Sequence, residues 1–374
     1  MSDTLLTLNS SDSVNLILQL EIIKEIGAEE GRNSKVWLAK DIQLNEILIL
    51  KGVLKSTFKE HEVDHYYLES QIINDCKHPH IVPITYAGMD ENYIYMTLPY
   101  FKNGSLKSLC DTKFLTVKEI ISYSLDFLNG LLFLHIKTVI HLDIKPTNIL
   151  IDDRGKAILT DFGLSKYLNK YGIARQNKFY VQHVTPDMYK SHDRRILDDI
   201  YNVGLTLYRL ANGENEFKKQ FSDLLASINK TEFDFTAMDI RDFILNGEFP
   251  NRSKYLPHIP IKLQKVINKA LSVEENTRYQ NVLELLNDLS KIDDFINWVF
   301  TMESNNYTWK YHNDKMEYIV TLNVQQGQIV SNGLKINRSN NRTQNINKFN
   351  NQYDNLETAF KELAKLLKND PGKA

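Results

Sequence analysis

The apolar residues of this chain change their period near residue 100, and that change limits the folds open to it. From about Val14 to Tyr100 they fall in short runs, Ile22 to Ile26, Val36 to Lys40, Ile47 to Leu50 and Tyr93 to Leu98, with one helical stretch, Val63 to Cys76. Short apolar runs bounded by polar residues suit strands, so this part is expected to form a small sheet plus a helix. From about Val117 to Leu289 the spacing becomes three and four residues, in Val117 to His135, Asp198 to Ala211, Leu263 to Leu271 and Val282 to Leu289. That is the spacing of helices that bury one face. Two short extended runs, Asn148 to Ile151 and Ala157 to Leu159, lie between them. A sheet-rich part joined to a helical part predicts two lobes, with the cleft between them as the natural ligand site.

The tail from Asn297 reads as a further module. Met316, Tyr318, Val320, Leu322 and Val324 alternate with other residues, which predicts a half-buried strand, and Ile329 to Ile336 supplies a partner across Gly327. Leu356, Ala359, Phe360, Leu363, Leu366 and Leu367 form a helical stripe, opened by Asp354 with Glu357 three residues on as a capping box. The Asn-rich stretch Asn337 to Gln352 reads as a solvated loop; its sparse aromatics argue against nucleic acid as a partner. The expected division is residues 1–100, a β-rich lobe; 101–294, a helical lobe; and 295–374, a small α+β module. The module is expected to recruit a protein partner, sense a ligand, or cover an apolar face of the helical lobe.

Composition excludes more than it selects. With 374 residues, 42% hydrophobic and 25% charged, the chain has an ordinary globular make-up, against disorder or a membrane bundle. A net charge of -2 provides no global field toward nucleic acid or an acidic membrane. Cys76 and Cys110 lack a Cys-x-x-Cys spacing, so no disulfide framework or zinc site is expected and a reducing, cytoplasmic setting fits. The first twenty residues mix acids, serines and asparagines among leucines, unlike a secretory signal, and no segment has the length of a membrane span.

The chemistry is concentrated in His141-Leu142-Asp143-Ile144-Lys145-Pro146-Thr147-Asn148, followed by Asp161-Phe162-Gly163. The fixed positions His-x-Asp-x-Lys-x-x-Asn alone arise by chance on the order of once per hundred thousand positions. Asp143 or Asn148 in isolation would be read as a turn residue; the spacing reverses that reading. These segments resemble the catalytic loop and metal-binding segment of eukaryotic-type (Hanks-type) serine/threonine protein kinases, and the resemblance extends over roughly residues 20 to 290.

The resemblance implies an α+β, bilobal protein-kinase-like fold with a small C-terminal α+β appendage. It implies transfer of the γ-phosphate of Mg-ATP to Ser/Thr hydroxyls of protein substrates, autophosphorylation included, with Mn²⁺ as a substitute metal. Asp143 would accept the hydroxyl proton and orient that oxygen, and Lys145 would reach the γ-phosphate. Asn148 and Asp161 would offer oxygen ligands to the metal, while His141 would serve as a packing and hydrogen-bonding strut. Lys51, closing the strand Leu48-Ile49-Leu50, would grip the α- and β-phosphates. Glu69, nine residues before His78-Pro79-His80-Ile81-Val82, would hold that lysine.

The nucleotide-covering loop would lie at Gly27 to Val36, with Gly31 on a glycine position, Ser34 on another and Gly27 two residues early. It is longer and poorer in glycine than the family's, with Glu29 and Glu30 near the phosphates, so weaker ATP binding, or a loop that bends away, is expected. Leu98-Pro99-Tyr100-Phe101 resembles the adenine-binding hinge, using the Pro99 carbonyl and the Phe101 N–H with Leu98 at the back pocket. Asp199-x-Tyr201-x-x-Gly204 resembles the helix whose aspartate anchors the catalytic loop, and Asp187 of Thr185-Pro186-Asp187 would pair with Arg278. Tyr180 and His183 stand where the family has Thr and Tyr, which alters the surface receiving the substrate. Leu142 replaces an arginine that receives an activating phosphate in relatives, a contact leucine cannot make. The alternative reading is a scaffold of the same fold that binds partners without transfer.

Overall fold

The computed structural model describes residues 18–26, 34–57, 67–176 and 184–371; Gly27, Gly31, Tyr180 and His183 lie outside these described residues. The chain divides into two compact units. One holds Pro83–Tyr100 and the described residues up to Ser70, the other Gln71–Val82 and the described residues from Phe101 onward.

The first unit is an antiparallel sheet of β1 (Leu20–Ile26), β2 (Ser34–Asp41), β3 (Glu46–Leu54), β4 (Tyr86–Met89) and β5 (Tyr93–Pro99), in the order β1-β2-β3-β5-β4. The turn from β2 to β3 is closed by the buried Asp41, whose carboxylate accepts the N–H groups of Gln43 (2.8 Å) and Leu44 (2.9 Å). The register places Lys51 opposite Val36 on one side and Met96 on the other, in the central strand. The strands follow the apolar runs of the sequence; β4 was not anticipated, because Tyr86–Met89 is exposed along its whole length and shows no pattern. Helix α1 (Leu68–Asp75) occupies the later part of the expected Val63 to Cys76 stretch, and the division between the units falls within it.

The second unit begins with α2 (Leu106–Thr112), capped by Ser105, and α3 (Val117–Ile136), capped by Thr116 and Glu119 in a reciprocal box. Five short strands follow: β6 (Val139–Ile140), β7 (Ile149–Ile151), β8 (Ala157–Leu159), β9 (Lys166–Tyr167) and β10 (Ala174–Arg175). They pair as β6 with β9, β7 with β8, and β10 with β11 (Asp193–Arg194). Helix α4 (Ile196–Asn212) is buried from Asp198 to Asn212 and contacts α3, α5 (Glu214–Ser227) and α7 (Ile261–Ala270). Gly204 is what lets α7 approach: a Cβ there would lie 2.9 Å from Leu271 Cγ. Helices α6 (Arg241–Leu245) and α8 (Val282–Ser290) complete the helical part.

The tail adds an antiparallel sheet of β12 (Val299–Glu303), β13 (Asn306–His312), β14 (Met316–Gln325), β15 (Gln328–Asn337) and β16 (Thr343–Asn345), in that order, with β17 (Asn351–Tyr353) also on β15. Gln326 and Gly327, both at positive φ (49° and 80°), form the two-residue turn between β14 and β15. Helix α9 (Leu356–Leu367) carries the expected apolar stripe. Two expectations are corrected. The helix is capped by Asn355, whose side chain accepts the Thr358 N–H at 2.8 Å, so the cap falls one residue after Asp354. The Asn337 to Gln352 stretch is also no simple solvated loop: it supplies β16 and the start of β17, and buries Phe349 completely. Its Asn-rich composition hid the two apolar residues, Ile346 and Phe349, that fasten it.

The tail shares a core with the helical part of its unit. Phe300 meets Phe114 edge-on at 4.7 Å, the Asn297 side chain accepts the Lys118 N–H at 3.0 Å, and Trp309 Nε1 donates to His258 Nδ1 at 3.1 Å. Burial drives the His258 imidazole down to about 3, so it stays neutral and can accept that bond. Because its folded value lies below the ordinary 6.5, its contribution to stability is complete above about pH 6.5 and is lost as pH falls toward 3. Chemical denaturation of the intact chain between pH 7 and 4 is expected to show a loss of up to ~1.4 kcal/mol per pH unit from this group, absent in His258→Gln. An unchanged pH slope in the variant contradicts that assignment.

Candidate active site

The loop between β6 and β7 is shaped by one carboxylate. Asp199, in the first turn of α4 and fully buried, accepts the N–H of His141 at 2.9 Å through Oδ2 and that of Leu142 at 2.7 Å through Oδ1. Oδ2 also accepts Nε2–H of His135 at 2.8 Å. Burial works against its charge, yet these donors outweigh burial and hold the Asp199 carboxyl below the ordinary range. The fixed N–H groups keep Leu142 in the left-handed region, φ 65°, which costs a non-glycine residue energy unless its surroundings impose it.

Asp143 follows immediately and is 3% exposed. The Asn148 amide donates to its Oδ2 at 2.7 Å and to its backbone carbonyl at 2.9 Å, and the Lys145 ammonium lies 3.0 Å from the same Oδ2. Burial, with the Asp161 charge adding to it, raises the Asp143 carboxyl above its ordinary range against the pull of Lys145. His141 is the strut expected from sequence: its Nε2–H donates to the Thr160 carbonyl (3.1 Å), its Nδ1 accepts the Asp143 N–H (3.3 Å), and its ring packs 4.9 Å from Phe162.

Asn148 and Asp161 are brought together by the β7–β8 hairpin. The Thr160 N–H donates to the Asn148 carbonyl at 3.0 Å, so Asp161 emerges one residue beyond that bond, at φ 61°. Because the Asn148 amide nitrogen is committed to Asp143, its Oδ1 faces away as an acceptor, touched by the Thr147 hydroxyl at 3.4 Å. An amide oxygen and a carboxylate beside a second carboxylate are hard oxygen donors that fit Mg²⁺. Among the described residues there is no group of three or more His, Cys, Asp or Glu side chains that could hold a metal ion.

In the first unit, Lys51 Nζ donates to Glu69 Oε1 at 2.7 Å, with both side chains largely buried. Leu98 is buried in β5 opposite Ile49, Pro99 pairs opposite Leu48, and Val36 lies opposite Lys51. Phe101, in the second unit, accepts the Gly104 N–H through its carbonyl at 3.1 Å.

Leu142, where the resemblance places an arginine, is 4% exposed and packs with Ile140 and Ala174, with Leu164, Leu168 and Ile196 around them. An apolar cluster occupies that position. The pair Asp187 and Arg278 forms as expected, at 2.7 Å, and Arg278 also donates to the Leu197 and Ser272 carbonyls. Three side chains of this neighbourhood escaped the sequence reading: His135, which reaches Asp199; Asp198, which accepts the Thr185 hydroxyl at 2.6 Å; and Arg194, buried 3.9 Å from Asp198. Two consecutive acids at a helix start were the available signal, but nothing in the sequence pairs Asp198 with Thr185.

Residues 20–289 match the family described as protein kinase domain. The chain is 26% identical over 274 residues to the probable serine/threonine-protein kinase PknB of Lactococcus lactis, covering 72% of this chain and 41% of that protein. It is 25% identical over 273 residues to the serine/threonine-protein kinase PrkC of Bacillus subtilis, covering 72% and 40%. Against the serine/threonine-protein kinase Aurora-1 of Arabidopsis thaliana it is 28% identical over 218 residues, 58% of this chain and 73% of that one. The chain thus spans about two fifths of the length of the two bacterial relatives. No helix among the described residues is long and apolar enough to cross a membrane.

Removing Arg278 strands the Asp187 charge. Arg278→Ala is expected to cost about 3–5 kcal/mol in denaturant unfolding, with much of that recovered in the double variant Arg278→Met, Asp187→Leu. A single-variant loss below about 1 kcal/mol would contradict a structural role for the pair.

Proposed function

The chain belongs to the protein kinase family, and from that premise we propose that it transfers the γ-phosphate of Mg-ATP to serine and threonine hydroxyls of proteins, its own included. The observation that carries this reading is the Asp143 carboxylate, held at 2.7 Å by Asn148 and at 3.0 Å by Lys145 on a loop whose backbone N–H groups end on Asp199.

Phosphoryl transfer asks a protein chiefly to align an oxygen with phosphorus and to neutralise charge. Asp143 orients the substrate hydroxyl and receives its proton; burial has already raised its carboxyl, which brings its affinity for a proton closer to that task. Lys145, at the same carboxylate, offers its ammonium to the transferring phosphate. Asn148 and Asp161 would hold the metal, which would offset the negative charge of the phosphate oxygens. Lys51, kept in place by Glu69, binds the α- and β-phosphates. Val36, Leu98, the Pro99 carbonyl and the Phe101 N–H receive the base. Gly27 and Gly31 belong to the covering loop in this reading. Lys145 in the catalytic loop supports Ser/Thr over Tyr as acceptor. The intact Lys51–Glu69 pair and Asp143 network speak against a scaffold without turnover.

Incubation with γ-labelled ATP, Mg²⁺ and a generic acceptor protein such as casein tests the reading. Asp143→Asn keeps the side-chain shape but removes the proton acceptor, and is expected to lower labelling by about 10²–10⁴-fold. Equal labelling by both forms would remove Asp143 from the reaction.

A further inference from the structure

The connection between α5 and α6 makes one kind of turn twice. In Thr231-Glu232-Phe233-Asp234 and in Thr236-Ala237-Met238-Asp239 a threonine stands three residues before an aspartate, with a large apolar residue just ahead of the acid. The Thr231 N–H and hydroxyl donate to Asp234 Oδ1 at 2.5 and 2.8 Å, and the Thr236 N–H and hydroxyl both donate to Asp239 Oδ2 at 2.7 Å. In each turn the aspartate N–H also donates to the threonine carbonyl, at 3.3 and 3.2 Å. All these bonds lie within a turn, so the backbone takes its shape before any partner arrives.

The apolar side chains divide by position. Phe235, between the turns, meets Phe221 of α5 edge-on at 5.2 Å, and Ile240, after them, is 1% exposed. Phe233, by contrast, is 100% exposed and Met238 66%. A single exposed apolar side chain is ordinary on a protein surface. Two at the same place of a repeated, internally bonded turn are a prepared contact, because a partner that covers them gains apolar burial while the turns have little freedom left to lose.

Position and charge indicate the kind of partner. The Tyr189 hydroxyl donates to the Ala237 carbonyl at 2.6 Å, and Tyr189 ends the short turn Pro186–Tyr189, whose Asp187 is held by Arg278. Thr185, just before that turn, is bonded to Asp198, the neighbour of the Asp199 that anchors the loop of Asp143. The connection is thus fastened, within one unit, to the elements that hold the candidate catalytic carboxylate. Residues 230–242 carry Glu232, Asp234, Asp239 and Asp242 against Lys230 and Arg241. The Thr231 N–H and the Thr236 hydroxyl, foremost among the donors, hold Asp234 and Asp239 below the ordinary carboxylate range, and the Lys230 ammonium is turned to the Asp234 carbonyl at 3.1 Å. The surroundings of Phe233 and Met238 are therefore acidic.

We propose that Phe233 and Met238 form a docking site for protein substrates, one that takes a segment carrying apolar and basic residues, separate from the residues that receive the acceptor hydroxyl. The proposal rests on the phosphoryl-transfer reading above and deepens it. A substrate held at a second point has a higher effective concentration at Asp143. Because that contact is the same before and during transfer, it lowers KM and leaves kcat alone.

The test uses the intact chain, with myelin basic protein as a basic acceptor and casein as an acidic one. Phe233→Ser combined with Met238→Ser is expected to weaken binding of fluorescently labelled myelin basic protein about tenfold, read by anisotropy without turnover. KM for that protein should rise equally, with kcat, KM for ATP and the casein kinetics within about twofold of the parent. Both side chains are exposed, so the variant should melt at the parent temperature. Glu232→Lys with Asp242→Lys should also weaken binding of myelin basic protein, and the difference from the parent should shrink as salt is raised. An unchanged dissociation constant in the Phe233→Ser, Met238→Ser chain overturns the proposal. So does an equal loss for casein, which removes charge from the recognition, and so does a parent that sediments as a dimer with a monomeric variant, which assigns the pair to a second copy of the chain. A parent that binds myelin basic protein through these residues but labels neither acceptor overturns the transfer reading instead.

Discussion

Everything the helical unit offers to chemistry depends on a carboxylate that never meets solvent. Asp199 accepts two consecutive backbone N–H groups and an imidazole N–H, and a buried charge in that setting survives only because all three donors converge on it. The consequence is geometric. With the N–H groups of His141 and Leu142 fixed, Leu142 is forced into the left-handed region and Asp143 leaves the loop in one direction. Asn148 and Lys145 then meet that carboxylate because the loop returns into β7, whose pairing with β8 brings Asp161 back to the same place.

The sheet unit solves a different problem. A lysine in the central strand of a sheet is costly to bury, and Lys51 remains there because Glu69 of α1 meets its ammonium at 2.7 Å. Neither residue is explained by stability, since apolar residues at both places would pack without the desolvation penalty. The departure at Leu142 is the converse case. Leu142 sits in an apolar cluster with Ile140 and Ala174, and such a cluster needs no partner charge.

The tail is built into its unit through aromatic contacts. Phe300 on Phe114, Trp309 on His258 and Asn297 on Lys118 tie β12, β13 and the segment before them to α3, to the connection between α2 and α3, and to the chain ahead of α7. Covering an apolar face, one of the three roles expected for the module, is therefore part of what it does.

Most elements, and the candidate site, were legible in the order of residues alone. Apolar spacing located β1 to β3, β5, α3, α4, α7, α8, the β14–β15 hairpin and α9, because periodic burial is a local property written in consecutive residues. The spacing of His141, Asp143, Lys145 and Asn148 named the site, because those side chains lie on one loop. Exposed β4 and the Asn-rich segment around Phe349 were not legible, since their apolar anchors are few or absent, whereas α5 carries Phe217, Phe221, Leu224 and Leu225 at helical spacing, a local signal of the same kind as in the other helices. The pairings of His135 with Asp199, of Thr185 with Asp198 and of Trp309 with His258 emerge only from packing in three dimensions. Those bonds join residues 13 to 64 positions apart, and a hydrogen bond leaves no periodic trace in the chain; its partner is fixed only when packing removes the alternatives and water can no longer compete.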